Sequence, residues 1–564
     1  MRTSPDRYVS RACFASPVVA VLAGLLTFGG SSLASAQSEN WISQFGTPTG
    51  DSGTVVAGDG LGGAFVAMNS GAPIFGPTSF ILARHDGAGQ QTWIQTLGTP
   101  GRDDVLGAAA DGAGGLLVGG STTGSLGGPL VGSSDAWIGR FDANGNEVWL
   151  TQLGSAGFDV CWAVVGDGTG GAFACGSTDG ALAGTAGFFA DAWLAHFSAA
   201  GALTWIRQLD SGSSEAATGL AMDGAGGAYV CGHTTYELFG FTSGSSDAWL
   251  ARYDSAGGLL WGLQWGSIEA ENFPVVALNG ASGVFVAGST SGVLGLFSAG
   301  ETDVWVTAVS HAGTQGWIEQ FGTPESDSCA GIESDLAGGF YLTGSTSGVL
   351  GASSAGVLDA WIARYDGSGL RSWLRQFGTA GVDRSSGVAV DQPGQFFLSG
   401  STTRDLAAVN AGDEDAWVAN FDSLLSSGYC ASPANSTGMP AVITATGSSA
   451  IALGRLNLRC ESLPRFAFGF FILSQMQGFA ANPGGSSGNL CVSGLVGRFV
   501  GPGQVQNSGA LGAISIDVDP LILPHPLGPV AAQAGETWNF QGWFRDANPQ
   551  VTSNLSNGVA VTFY

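Results

Sequence analysis

Between residues 37 and 424, short apolar runs alternate with polar turns, and the same order of runs returns again and again. One unit contains "GLAMD", "AYVCG", "DAWLARYD" and "LLWGLQW", separated by reversals that carry Gly or Asp. Runs this short, rich in aromatic and β-branched residues and bounded by turn residues, predict β-strands. Each unit therefore predicts four antiparallel strands, and the chain as a whole predicts an all-β fold.

The unit has a fixed length. A tryptophan motif recurs seven times, with a first interval of 52 residues and five intervals of 56, at Trp41, Trp93, Trp149, Trp205, Trp261, Trp317 and Trp373. It reads W-x-x-Q in six copies and "WIQT" in the copy at Trp93. The tripeptide DAW or DVW keeps the 56-residue period, at Asp135, Asp191, Asp247, Asp303, Asp359 and Asp415. Four-stranded units repeated radially make a β-propeller. A solenoid is the main alternative, but it needs distinct end caps, and the sequence offers none.

The two ends of the array complement each other. The last unit has three predicted strands after residue 383 and lacks its W-x-x-Q strand, whereas "WISQFG" at residues 41–46 stands alone before the first unit. That N-terminal strand can complete the last unit and remove an open sheet edge. We therefore expect a seven-bladed β-propeller over residues 37–424, closed by its N-terminal strand.

Three motifs together resemble the bacterial seven-bladed β-propeller repeat (SBBP) family. They are W-x-x-Q-x-G, D-G-x-G-G-x-[FY]-V-x-G-[ST]-T and DAW-[IL]-A-R-[FY]-D. The resemblance implies the propeller fold and an exported, often surface-associated protein of bacterial origin. It implies no defined reaction.

The first 36 residues have the pattern of a signal peptide. Three arginines precede an apolar run at residues 17–28, and Ala34-Ser35-Ala36 gives the small-x-small cleavage pattern. The run is short for a membrane span. We therefore expect a mature chain from about Gln37 that is secreted or placed at the cell surface and has no membrane span.

The chain is strongly acidic, with a net charge of −26, and all 18 of its basic residues are arginine. Phosphate recognition needs basic patches, so this balance argues against nucleic acid and against anionic membrane surfaces. It favours solubility and is compatible with divalent cations. We expect a monomer that binds an extracellular protein or a glycan, without a cofactor unless it binds calcium.

An acidic residue follows each W-x-x-Q tryptophan by ten residues, at the predicted crossover between units. The seven residues are Asp51, Asp103, Asp159, Glu215, Glu271, Asp327 and Asp383. In a closed propeller they would form a ring near one mouth of the channel. Two interpretations remain open: a metal-binding ring, because close carboxylates repel unless neutralised, or acids that satisfy backbone N–H groups of the crossover turn.

The stretch "DANGNEVW" (residues 142–149) has the oxygen-bearing side chains of a calcium loop. In other units it becomes "DSAGGLLW" or "SAAGALTW", so the asparagines vary while the glycine stays. This predicts a hairpin turn whose glycine takes a left-handed conformation.

Three function classes remain. A non-enzymatic interaction scaffold ranks first, a cation-dependent or glycan-binding module second, and a polysaccharide-acting enzyme last. The enzyme needs acids that break the repeat symmetry inside the channel, and the crossover acids obey that symmetry. Two departures from the repeat are candidate binding segments: "MNSGAPIFGPTSF" in the first unit, and "CGHTTYELFGF" with Tyr236 and Phe239 in the fourth.

From about residue 427 the period stops. Residues 425–436 are expected to be a linker and residues 437–564 a β-sandwich-like domain, since runs such as "GRLNLRC" and "ISIDVD" alternate apolar with polar positions. This region resembles a C-terminal module of exported planctomycete-type proteins, which suggests attachment or sorting. The resemblance is carried by Tyr429-Cys430, Asn435-Ser436-Thr437-Gly438, Leu463-Pro464, Leu490-Cys491, Trp543-Phe544-Arg545-Asp546 and Ser556-Asn557-Gly558.

Seven cysteines remain after the predicted cleavage. Export permits disulfides, and the tail is expected to contain a Cys430–Cys491 bond, with Cys460 in its core. Cys161 and Cys175, on neighbouring strands of one unit, are a second possible pair.

Overall fold

The structure is a computed structural model that describes residues 37–564 except 72–76, 185–186, 281, 337, 352, 393, 424–426, 448–450, 452–455, 534, 548–549 and 564. The described chain falls within one unit, Ala36–Tyr564. The predicted signal peptide, part of the predicted linker and part of the first-unit segment "MNSGAPIFGPTSF" lie outside the described residues.

The prediction of an all-β fold with repeated four-stranded sheets is confirmed. In the described chain up to Ser423, 28 strands form seven four-stranded antiparallel sheets. Six sheets take four consecutive strands each, in chain order.

The first sheet contains β2 (Asp51–Gly58), β3 (Ala64–Gly71), β4 (Thr78–His85) and β5 (Gln91–Leu97), and the second contains β6 (Asp103–Ala110), β7 (Leu116–Thr122), β8 (Asp135–Phe141) and β9 (Glu147–Leu153). The third sheet contains β10 (Asp159–Gly166), β11 (Ala172–Thr178), β12 (Asp191–Phe197) and β13 (Leu203–Leu209), and the fourth contains β14 (Glu215–Met222), β15 (Ala228–Thr234), β16 (Asp247–Tyr253) and β17 (Leu259–Trp265). The fifth sheet contains β18 (Glu271–Asn279), β19 (Gly283–Thr290), β20 (Asp303–Ser310) and β21 (Gln315–Phe321), and the sixth contains β22 (Asp327–Ser334), β23 (Phe340–Thr346), β24 (Asp359–Tyr365) and β25 (Arg371–Phe377).

The seventh sheet combines both ends of the array. Its order is β1 (Gln37–Phe45), β28 (Asp415–Ser423), β27 (Gln395–Thr402) and β26 (Asp383–Gln392). Strand β1 is antiparallel to β28, with Trp41 opposite Asn420 and Phe45 opposite Ala416. The isolated W-x-x-Q strand therefore occupies the outer position that β5, β9 and their equivalents occupy in the other sheets.

Apolar side chains join neighbouring sheets. The tryptophans of the DAW and DVW motifs are fully buried, at Trp137, Trp193, Trp249, Trp305, Trp361 and Trp417. Aromatic side chains bury the largest apolar areas, and here the tryptophans lie in core clusters that draw residues from two consecutive sheets. This full burial is incompatible with sugar stacking on these rings.

The stretch "DANGNEVW" is a hairpin turn, as predicted. The Asp142 carboxylate accepts hydrogen bonds from the backbone N–H groups of Asn144 (2.8 Å) and Asn146 (2.9 Å). Gly145 has φ +83°, and a Cβ atom there would lie 3.2 Å from the ring of Trp93 in the preceding sheet. The glycine is therefore required both by the backbone conformation and by the close approach of the tryptophan.

The expected Cys161–Cys175 pair is wrong. Both thiols are buried and free, and Cys161 belongs to the core between one pair of sheets whereas Cys175 belongs to the core between the next pair. A register shift between Cys161 and Ala163 places Cys161 opposite Gly176 and Ala163 opposite Cys175. Side chains on opposite faces of a sheet cannot bond.

The described residues after Ser423 form a second group of strands, with a short 3-10 turn at Pro483–Gly485. The strands are β29 (Ser427–Tyr429), β30 (Val442–Gly447), β31 (Leu456–Glu461), β32 (Phe468–Ser474), β33 (Met476–Ala481), β34 (Asn489–Ser493), β35 (Gly497–Arg498), β36 (Gln506–Asn507), β37 (Ile514–Val518), β38 (Thr537–Ala547) and β39 (Val551–Thr562).

These strands form three antiparallel sheets. A six-stranded sheet has the order β29-β39-β38-β32-β35, with β36 also paired to β32; a three-stranded sheet has the order β30-β31-β37; and β33 pairs with β34. In β31, Leu456, Leu458 and Cys460 are buried while the residues between them are more exposed. One core cluster draws side chains from both larger sheets.

Cys430 and Cys491 form a disulfide, with their Cα atoms 5.9 Å apart. It ties the start of this region to β34, while Cys460 is free and buried in the core. No helix among the described residues is long and apolar enough to cross a membrane.

Candidate functional site

Each crossover acid begins the first strand of a sheet, and all seven are fully buried. Glu271 shows the shared arrangement. Its carboxylate accepts hydrogen bonds from the backbone N–H (2.8 Å) and the hydroxyl (2.6 Å) of Ser267, four residues earlier, and from the hydroxyl of Thr290 (2.7 Å) at the end of the next strand. These bonds hold the crossover turn against the sheet.

The same bonds recur around the other acids. The backbone N–H four residues earlier donates to the carboxylate in each case, from Thr47, Thr99, Ser155, Ser211, Thr323 and Thr379. Burial raises the pKa of Asp51, Asp159, Glu271 and Asp327, and these donors oppose the increase. Each carboxylate therefore has its own donor from the crossover turn, as expected if these acids serve to satisfy backbone N–H groups of the turn.

A central cavity of about 430 Å³ is lined by residues from the first strand of all seven sheets. Its wall consists largely of Gly, Ala, Val, Leu and Ile, and none of the seven crossover acids is among the described residues that line it. The crossover acids therefore lie outside the cavity wall, at the beginning of the strands that form it, and the expected ring near one mouth of the channel stays a prediction.

One acid breaks the repeat symmetry in this wall. Glu333 lies in β22, where the corresponding residues of the other sheets are Ala57, Ala109, Val165, Ala221, Ala277 and Ala389. Burial raises the pKa of Glu333 to about 7. The expectation that the channel acids follow the repeat is therefore wrong for this residue. Comparing "GIESD" with "GLAMD" strand by strand would have found it.

The candidate binding residues of the fourth unit separate in the structure. Tyr236 is 55% exposed. Phe239 packs against the ring of Trp249, with centroids 5.8 Å apart, and joins the partly buried residues of the core. Phe239 is therefore only partly exposed, and a binding role for this residue stays a prediction.

Phe239 can pack inward because the residue beneath it is a glycine, whereas in another sheet a leucine lies at that position and a glycine at the position of Phe239. At Gly262, which takes the place of Leu150 in its sheet, a Cβ atom would lie 2.2 Å from the Phe239 ring. In the β6–β9 sheet the sizes are reversed, since Leu150 lies over Gly127, which corresponds to Phe239. "WGLQ" in place of the usual W-[IL]-x-Q was the sequence signal for this inward-facing phenylalanine.

An apolar surface lies at one end of the sheets. In antiparallel sheets the loops between second and third strands share an end with the crossovers, and six of these loops carry an exposed apolar side chain. We call this set the apolar end surface: Val131, Phe188, Phe241, Leu296, Val357 and Val409. Their exposure runs from 61% at Val131 to 103% at Phe188.

Ile268, which is 81% exposed, adds to this end from a crossover. It borders a groove of about 510 Å³ that also includes Ser243, Val293 and Ser298. Exposed apolar side chains gathered at one end of the sheets favour an interaction site there.

Comparison of the chain with protein-family models gave no match, and comparison with curated proteins gave none either. Solved structures do show similarity. A protein of unknown function from Dyadobacter fermentans is 10% identical, with 69% of this chain and 100% of that chain covered and a TM-score of 0.41.

The β-propeller domain of the Trilobed protease from Pyrococcus furiosus is 7% identical, with 66% and 94% covered and a TM-score of 0.38. Sqt1 from Chaetomium thermophilum is 13% identical, with 68% and 98% covered and a TM-score of 0.37. Because these TM-scores are low, the fold assignment rests on strand pairing: the described chain to Ser423 is a β-propeller type of scaffold, built of repeated four-stranded sheets.

Proposed function

We propose that the chain is an exported, non-enzymatic interaction scaffold: a closed seven-bladed β-propeller followed by a β-sandwich-like module for attachment or sorting. Closure is supported by the contacts between the seventh and first sheets. Trp41 packs on Gly89 as Trp93 packs on Gly145, and Val56 and Val66 share a core cluster with Phe397. The cavity lined by all seven first strands supports it too.

The apolar end surface is the observation that carries the binding role. At least one large apolar side chain is exposed in each of six consecutive loops, although burying such a side chain would be favourable by roughly 1.5–3 kcal/mol. A partner that covers several of these side chains at once would recover that free energy. The crossover acids themselves give no support to catalysis, because their carboxylates are held by donors of their own turns.

The charge around this surface indicates the type of partner. Exposed acids share this end of the sheets: Glu237, Glu269, Glu301, Glu325 and Asp413. Protein interfaces combine an apolar centre with a polar rim of complementary charge. We therefore infer a protein partner with an apolar patch surrounded by arginines and lysines.

The test is retention of envelope proteins from the producing cells on the immobilised mature chain. A variant with Phe188→Ser, Phe241→Ser and Leu296→Ser removes apolar side chains from this surface. A matched variant with Leu61→Ser, Leu336→Ser and Leu370→Ser changes exposed leucines in turns at the opposite end. We expect the first variant to lose a bound protein that the wild type and the second variant retain.

Equal retention by all three proteins would reject the apolar end surface as the binding site. Binding that disappears equally in both variants would show non-specific adsorption, and it would reject the proposal as well. Raising the salt concentration should weaken specific retention, because the inferred rim contacts are ionic.

Export and attachment need a separate test. Mass spectrometry of the protein from the culture should give a mature chain that begins near Gln37. The resemblance to the SBBP family supports this expectation. Co-sedimentation with cell envelopes should require the tail, so a truncation ending near residue 424 should stay in the supernatant while the full chain pellets.

A further inference from the structure

The glycine of the W-x-x-Q-x-G motif lies between two carboxylates. At Gly266, a Cβ atom would lie 2.2 Å from Asp247 Oδ1 in the same sheet and 2.6 Å from Glu271 Oε2 at the next crossover. The motif has glycine in six copies, at Gly46, Gly98, Gly154, Gly266, Gly322 and Gly378. The remaining copy has Asp210, and this is the one place where the repeat adds a third acid to the pair.

Three carboxylates consequently meet at this junction. One oxygen from each of Asp191, Asp210 and Glu215 lies within 4.8 Å of the other two. Asp191 and Glu215 are buried, whereas Asp210 is exposed, so the cluster has one open side. Among the described residues, no arginine or histidine forms an ion pair with any of the three.

A buried oxygen without a hydrogen-bond partner faces this cluster. Asp191 is 1% exposed; its Oδ2 accepts a hydrogen bond from Gln208 Nε2 (2.6 Å), while Oδ1 has no hydrogen-bond partner among the described residues. In five other sheets the equivalent Oδ1 atom points at the motif glycine, 2.2–2.6 Å from its would-be Cβ atom. In this sheet the Cβ atom of Asp210 occupies that space, and an oxygen of the Asp191 carboxylate lies within 4.8 Å of an oxygen of Asp210.

The equivalent oxygens of Asp303, Asp359 and Asp415 are also unpartnered, but a glycine faces each of them. The aspartate of the DAW or DVW motif therefore has an oxygen without a donor in four sheets. Among the described residues, the sheet with Asp210 is the one in which two further carboxylates lie close to this aspartate. Burial raises the pKa of Asp191, and the charges of Asp210 and Glu215 add to the increase.

The three oxygens are close enough to bind one ion. Ca²⁺ binds six to eight oxygens at 2.3–2.6 Å, so two oxygens of its shell are at most about 5 Å apart, and these three lie within 4.8 Å of one another. Mg²⁺ demands near-ideal octahedral geometry and dehydrates reluctantly, so Ca²⁺ suits an irregular group of side chains better. Glu215 Oε1 already accepts hydrogen bonds from the hydroxyls of Ser211 and Thr234, whereas Oε2 accepts one bond, from the Ser211 backbone N–H, and keeps a lone pair for a metal. Water can fill the exposed side beside Asp210.

We propose that Asp191, Asp210 and Glu215 form a single divalent-cation site, with Ca²⁺ as the ion of best fit, at the crossover between the third and fourth sheets. The site goes beyond the scaffold role and does not depend on it. It also differs from a ring, because one junction of the seven binds the ion.

The test is calorimetric titration of the metal-free mature chain with CaCl₂ and with MgCl₂, together with thermal unfolding at rising calcium concentration. The informative variant is Asp210→Gly, which restores the residue found at the other six junctions and so should fold. Asp413→Gly, at an exposed loop position on the same end, is the matched control.

We expect one Ca²⁺ per chain in the wild type and in Asp413→Gly, weaker Mg²⁺ binding, and an unfolding temperature that rises with calcium. Asp210→Gly should lower the calcium affinity at least tenfold and abolish the thermal shift. The proposal is overturned if the wild type binds no Ca²⁺ at 10 mM, or if Asp210→Gly binds it as tightly as the wild type does.

Discussion

The repeated sheets and the C-terminal region both place glutamine side chains among β-strands, but they satisfy the hydrogen-bonding groups of these side chains differently. In the sheets, one Gln–Asp pair is used repeatedly: Gln264 donates to Asp247 (3.0 Å) and accepts from backbone N–H groups of the neighbouring loop. In the C-terminal region, the buried Gln541 accepts from the backbone of Cys491 (2.9 Å) and donates to the carbonyl of Ser556 (2.7 Å), an arrangement used once.

This difference decides what can be learned from each region. A residue that departs from six copies stands out in the repeated sheets, as Asp210, Glu333, Phe239 and Gly262 do. The C-terminal region offers no internal copies for comparison.

The largest effect should come from the disulfide, which belongs to the C-terminal region alone. Replacing Cys430 and Cys491 with Ser opens a cross-link between residues 61 apart, and the chain-entropy estimate for such a loop is about 4 kcal/mol. Calorimetry of the full chain should show a C-terminal transition at lower temperature and an unchanged propeller transition. If both transitions move together, the two regions unfold as one and the distinction fails.

Second, the effects of substitutions at Phe239 and Gly262 on the free energy of unfolding should be strongly coupled. Phe239→Gly leaves a cavity and Gly262→Leu forces a clash, so each should lower the free energy of unfolding by about 2–3 kcal/mol. The double variant recreates the Gly127–Leu150 arrangement of the β6–β9 sheet. Chemical denaturation should therefore find it close to the wild type, whereas additive losses would show that the two residues do not compensate each other.

Third, Glu333 should make stability depend on pH. Its raised pKa, about 7 against 4.5, means that the folded chain keeps a proton that the unfolded chain loses. The free energy of unfolding should therefore fall as pH rises from about 4.5 to about 7, by on the order of 2–3 kcal/mol. Glu333→Ala, the residue of most other sheets, should remove this fall.

The measurement is denaturant unfolding at pH 4.5, 5.5, 7 and 8, with the difference between wild type and variant taken at each pH, since other acids titrate in both proteins. Glu147→Ala, at an exposed strand position, is the control and should leave the wild-type profile in place. A parallel profile for wild type and Glu333→Ala would contradict the assignment.

The smallest expected effect is the difference in lost stability between alanine substitutions at two glycines with positive φ. A Cβ atom at Gly201 (φ +75°) would lie 2.7 Å from the Trp149 ring, whereas one at Gly112 (φ +73°) meets nothing within 4 Å. Gly112→Ala should cost about 1 kcal/mol from backbone strain, and Gly201→Ala about 2 kcal/mol because the tryptophan must also move. Equal losses would mean that the tryptophan contact does not require glycine.

The repeat allowed much of the fold to be predicted. The 56-residue period, the alternation within strands and the isolated W-x-x-Q strand are all local patterns, and the pairing of β1 with β28 is the arrangement they favour. The environment of the crossover acids was harder to predict from the sequence. Seven equivalent acids suggested a shared ion, but each carboxylate also accepts a hydrogen bond from a threonine or serine on the neighbouring strand, which local spacing does not reveal.

Strand periodicity, turn chemistry and the positions that depart from the repeat can be read from the sequence alone, because they follow from side-chain alternation and backbone preference within a few residues. The tertiary structure was needed to show that Phe239 turns inward over Gly262, that Cys161 and Cys175 face opposite sides of their sheet, and that Asp210 lies beside Asp191 and Glu215. Those outcomes depend on strand register and on the face that the next sheet covers, and both are fixed by packing between segments far apart in the chain.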